Sequence, residues 1–149
     1  MIKIKFSVRA EQGDPSGFDL GDIACIGDLG ESSSEGRTPD QGMMIYLSVT
    51  LLLDNLAQFL NSRARTLHFT GTDTSFGLTF QRDKTGTFSI SSGNNLLARA
   101  SKREITEAVL LAAEELAATK LLQLSGSDAA RSDYSAALHE FRALAERSD

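Results

Sequence analysis

Apolar residues alternate with polar ones at the front of the chain and recur at helical spacing in its middle and at its end. Ile2, Ile4, Phe6 and Val8 alternate with Lys3, Lys5, Ser7 and Arg9, which predicts a half-buried strand with a basic outer face. A turn follows at Gly13-Asp14-Pro15-Ser16-Gly17. Residues 18–26 then predict a second strand with Ile23 and Cys25 inward, weakened by Gly21 and Gly27.

The longest apolar segment, residues 43–60, has two readings. One helix could run from Thr38, with Thr38 as N-cap, Pro39 at the first helical position and Gln41 completing a capping box. The favoured reading makes residues 43–48 a strand and starts the helix at Val49, with Ser48 as its N-cap. Gly42 opposes a helix through that point, at a cost of about 1 kcal/mol relative to alanine. Val49, Leu52, Leu53, Leu56, Phe59 and Leu60 form one apolar stripe in either case.

Alternation returns after Arg63. Leu67 and Phe69, then Phe76, Leu78 and Phe80, then Phe88 and Ile90, then residues 96–100 predict four strands. The short turns at Asp83-Lys84-Thr85-Gly86 and Ser92-Gly93-Asn94-Asn95 imply an antiparallel meander. Ser101 and Glu104 form a capping box before a helical stripe of Ile105, Val109, Ala112 and Leu116 that reaches about Leu122. Ser125-Gly126 breaks it. A last helix, about 128–147, carries Tyr134, Ala137, Leu138, Phe141 and Leu144; its narrow stripe suits packing at the domain edge or self-association. Together these predict a two-layer α+β domain, an antiparallel sheet of about five to seven strands with helices on one face.

Composition narrows the class. A chain of 149 residues with 41% hydrophobic content suits one domain, residues 1–149, with a real core. Cys25 is the only cysteine, no secretory signal pattern opens the chain, and no apolar run reaches the roughly 18 residues a bilayer needs, so a soluble cytoplasmic protein is expected.

Charge changes the picture more. The net charge is −5, which argues against nucleic acid as a partner. Residues 11–40 hold eight acids and one base, Arg37, so this stretch alone carries more negative charge than the chain as a whole. Part of that stretch, residues 28–41, is rich in Gly and Ser and is expected as a solvated, mobile loop. The candidate binding residues are Asp14, Asp19, Asp22, Asp28, Glu31 and Glu35.

Catalytic, metal and cofactor motifs are wanting. His139-Glu140 begins a zinc motif, but Ala143 stands where the second histidine belongs. No serine elbow, P-loop or dinucleotide fingerprint occurs, and the aspartates of the front half lack calcium-loop spacing. Cys25, within a predicted strand, reads as a buried thiol.

The expectation is therefore a protein-binding module whose acidic region meets a basic protein partner. Immunity proteins, which neutralise basic toxins, offer an analogy of type only. One alternative is a small-ligand pocket or unrecognised enzyme site between sheet and helices, where His68, Tyr46, Asp54 and Arg99 come first. The other is a homodimer built on the Ala-rich helical pattern from Ile105 to Leu122 or on the last one.

Overall fold

A computed structural model of the chain describes residues 1–147. The predicted α+β architecture is observed: three helices and, among the described residues, eight strands divided between two four-stranded antiparallel sheets. In the first sheet β1 (Ile2–Val8) pairs along its length with β2 (Leu20–Gly27). On the opposite side of β2 lie two short strands, β3 (Glu31–Ser33) beside its end and β4 (Met43–Met44) beside its start. The second sheet is the expected meander of β5 (Thr66–Thr70), β6 (Gly77–Arg82), β7 (Phe88–Ser92) and β8 (Asn95–Ala100).

The segment 28–41 is not all loop. Gly27 donates its N–H to the Gly30 carbonyl at 2.9 Å, and that tight turn folds residues 31–33 back onto β2. Gly27 also marks the junction of the sheets. A Cβ there would overlap the Leu97 carbonyl oxygen, and the Leu29 N–H reaches that same oxygen at 3.0 Å. Only glycine lets β2 pass so close to β8.

Residues 43–60 resolve between the two readings. The strand is real but ends at Met44, and α1 spans Ile45–Leu60. Its first amide needs no side-chain cap, because the Ile45 N–H is taken by the Asp19 carbonyl at 3.1 Å. Ser48, expected as the N-cap, lies inside the helix, fully buried, and its hydroxyl accepts the Thr72 N–H at 2.8 Å. Thus a contact from a distant strand start replaced the local cap that the sequence pattern requires.

α2 (Lys102–Thr119) begins with the predicted capping box, Ser101 and Glu104 each bonding the other's amide. It stops three residues before Leu122, giving way to a short 3-10 turn that buries Leu121. α3 (Ala129–Glu146) is capped by Asp128 and packs on α1 and α2. It is not peripheral. Tyr134 and Phe141 are wholly buried, and the Tyr134 hydroxyl donates to the Ala113 carbonyl at 2.6 Å. The Tyr134 ring meets Tyr46 of α1 edge-on, centroids 6.3 Å apart. The helical face whose width favoured an edge position is completed by aromatic size: each ring removes roughly 150–250 Å² from water.

The core runs continuously through the inner faces of both sheets and the helix stripes, from Ile4, Phe6 and Ile23 to Phe80, Ile90 and Phe141. The outer face of the first sheet, bearing Lys3, Lys5, Ser7, Asp22 and Ala24, faces away from that core. The chain that crosses it after β3 forms the candidate site.

Candidate binding surface

Register places Ser7 opposite Asp22 and so brings Arg9, just beyond β1, beside the Asp22 carboxylate. The guanidinium meets Asp22 side-on, Nε and Nη2 each 3.0 Å from a carboxylate oxygen. Its other edge grips Asp40, with Nη1 and Nη2 each 2.8 Å from an oxygen. One arginine is thus clamped by two carboxylates, one from β2 and one from the crossing loop. Asp22 is buried, and its remaining partner is the wholly buried Ser34, whose hydroxyl donates at 2.7 Å while accepting the Ile23 N–H at 3.1 Å.

The electrostatics follow from this geometry. Arg9 beside it, helped by the Gly42 N–H, holds the Asp40 carboxyl well below the usual carboxylate range. The two carboxylates, Asp40 first, push the Arg9 guanidinium up, so it remains a cation at every accessible pH.

Two further ties fix the crossing loop. Arg37 donates from Nε to the Ser33 carbonyl at 2.6 Å and from Nη2 to the Ser32 hydroxyl at 2.8 Å. It also lies over the Phe76 ring, just before β6 of the second sheet, 5.7 Å from the centroid. The Thr74 hydroxyl donates to the Gln41 carbonyl at 2.8 Å. The loop expected to be mobile is therefore pinned to both sheets. Beneath it runs an open groove of about 670 Å³, lined by Lys5, Ser7, Arg9, Glu35, Arg37 and Asp40.

The six acids expected to bind do not converge on one point. Asp14 and Asp19 lie in the loop before β2, Asp14 exposed and Asp19 accepting the Ser16 N–H at 3.1 Å. Asp28 follows the far end of β2 and pairs with the N-terminal ammonium at 2.8 Å. Glu31 is exposed at the start of β3, opposite Ile26. Glu35 is exposed on the groove wall, and Asp22 is buried under Arg9. Asp14, Glu31 and Glu35 are thus exposed, one in the loop before β2, one at the start of β3 and one just after it. Sequence reasoning missed Arg9, Ser34 and Asp40; the one available signal was a basic residue ending the alternation of β1, and only the register of β1 on β2 gives it meaning.

The residues weighed for chemistry lie apart. Cys25 is buried with its thiol pushed up to about 12 by burial. His68 is exposed on β5, its Nδ1 3.1 Å from the Thr79 hydroxyl on β6. His139 is exposed on α3, and Arg99 on the outer face of β8. Tyr46 is buried against Tyr134, its hydroxyl pushed up to about 12 by burial and by Asp19. Asp54, at the α1–α3 groove, has its carboxyl pushed up by burial and by Glu140 and Asp133. Among the described residues no cluster of three His, Cys, Asp or Glu side chains is placed to hold a metal ion, and no helix is long and apolar enough to cross a membrane.

No known protein family, characterised protein or solved structure matches the chain.

Proposed function

We propose that the protein is a non-catalytic binding module that presents Asp14, Glu31 and Glu35 on a rigid frame to a basic protein partner. The observation that carries this reading is the clamp of Arg9 between Asp22 and Asp40. A carboxylate-rich segment that served only solubility needs no fixed geometry. Here two of its acids fix the path of the loop, and Glu35 stands exposed on the groove wall beside them. A surface ordered before binding loses less entropy on association, and complementary charge raises the rate of encounter.

The test is affinity capture from cells that express the protein, followed by crosslinking and kinetics with each captured partner. The comparison is with the triple variant Asp14→Asn, Glu31→Gln, Glu35→Gln, which leaves the Arg9 clamp intact. Expected is a basic partner, crosslinked beside these acids, whose association slows about tenfold in the variant and falls steeply with salt. An unchanged association rate, or crosslinks only on the helices, overturns the reading.

A further inference from the structure

Where the crossing loop borders the second sheet it leaves a second groove, of about 340 Å³. Its lining includes His68 and Thr70 of β5, Ser75 and Thr79 before and within β6, and Arg37 of the loop. Register sets His68 directly opposite Thr79. Among the described residues no carboxylate lines this groove. The larger groove beneath the loop, by contrast, balances Lys5, Arg9 and Arg37 against Asp22, Glu35 and Asp40. In a chain of net charge −5, a groove whose only charged lining is basic is set to receive an anion.

Its donors are held in place from behind. Arg37 spends Nε and Nη2 on the Ser33 carbonyl and the Ser32 hydroxyl and rests over Phe76, while its Nη1 has no partner among the described residues. The His68 ring is steadied at Nδ1, 3.1 Å from the Thr79 hydroxyl. When that hydroxyl donates to Nδ1, the ring proton sits on Nε2, which has no partner among the described residues. Thr70 and Ser75 are exposed, and their hydroxyls make no hydrogen bond among the described residues. A guanidinium end, an imidazole and two hydroxyls thus line one groove with donors to spare.

We infer that this groove binds a small phosphate ester with a hydroxylated remainder, its phosphate taken by Arg37 and His68 and its hydroxyls by Thr70 and Ser75. A phosphate monoester presents three terminal oxygens and a charge of about −2 at pH 7, so it can meet the guanidinium, the imidazole and a hydroxyl at once. A carboxylate offers two oxygens and a single charge. The two aromatic rings of the lining, Phe69 and Phe76, are buried and give a base no face to stack on, which favours a polyol remainder over a nucleoside. The inference does not rest on the basic-partner reading, since Asp14, Glu31 and Glu35 lie outside this groove.

The experiment titrates the full chain with glycerol 3-phosphate, ribose 5-phosphate and glucose 6-phosphate, read by calorimetry and NMR. Inorganic phosphate, gluconate and glucose are the controls. Expected is at least one ester that binds about tenfold more tightly than inorganic phosphate or gluconate, while glucose does not bind. It should shift the His68 ring signals and the amides of Gly77 and Gly93, which border the groove. Arg37→Gln and His68→Ala should each weaken it about tenfold, as expected for one lost charge-assisted hydrogen bond. Arg37→Gln also frees the crossing loop, so His68→Ala, at an exposed strand position outside that loop, carries the test by itself. Unshifted core amides confirm that this variant is folded. No ester tighter than inorganic phosphate, gluconate equal to the esters, shifts centred on Lys3 and Lys5, or full affinity in His68→Ala would each overturn the proposal.

Discussion

Arg9 and Asp22 meet side-on across the start of the first sheet, two nitrogens against two oxygens at 3.0 Å. The aspartate side chain is 7% exposed and the arginine 29%. Removing the arginine therefore strands a buried carboxylate with only the Ser34 hydroxyl to answer it. Arg9→Ala should lower the unfolding free energy by about 2–3 kcal/mol, less than the roughly 3–5 kcal/mol of a fully buried pair because Arg9 keeps contact with water. Urea denaturation measures it. The double variant Arg9→Met/Asp22→Leu should lose less than the sum of the single changes, since neither charge is then left alone. Additive losses would show that the two residues do not act as a pair.

Acid should loosen the turns before the core. Hydrogen bonds from the Thr87 and Thr85 hydroxyls hold the Asp83 carboxyl down to about 2, against an ordinary 3.8. A depressed carboxyl contributes stability that is whole above its unfolded value and lost as pH falls through the folded one. The contribution of Asp83 should accordingly be intact above pH 4 and disappear between pH 4 and pH 2, and that of Asp40, held lower still, should fade last. Melting curves over that range should fall less steeply for Asp83→Asn than for the parent chain. Parallel curves would remove Asp83 from the account.

Cys25 gives a direct test of the inert-thiol reading. Burial pushes its thiol up to about 12, so at pH 8 the thiolate is a trace species behind β2. A thiol-specific chromogenic reagent should react with it only in denaturant. Stoichiometric reaction within minutes in native buffer would mean that the thiol is accessible and reactive.

The junction between the sheets rests on Gly27. Gly27→Ala would drive a methyl into the Leu97 carbonyl and the Ala98 side chain, and backbone on both sides must move. The expected cost is about 1–3 kcal/mol, that of overpacking in a close-packed interior. Gly86→Ala, in open space at a φ of 86°, serves as the control for backbone strain alone. Equal losses from the two would show that the β2–β8 approach is not tight.

What was legible in the sequence is local. Ser101 and Glu104 lie three residues apart and cap α2 as their types demand. Alternation fixed which of Ile4, Phe6, Ile23, Phe80 and Ile90 turn inward, because the side-chain period of a strand is two whatever its partner. The start of α1 was not legible: its amide is satisfied by Asp19 and its Ser48 is drawn to Thr72, and neither contact has a signature within the helix.

The sequence by itself determined an α+β chain with one core, three apolar helical stripes and an acidic front half. Only the tertiary structure decided that the strands divide into two sheets, that α3 completes the core, and which acids remain free. Asp22 and Asp40 stand 13 and 31 positions from Arg9, and no periodicity links them. They meet because antiparallel pairing sets β2 beside β1 and the crossing loop returns over both. That pairing makes β1 the end strand of its sheet, with α2 packed along it, and strand sequence alone does not distinguish an edge from a centre when one face is buried in either case.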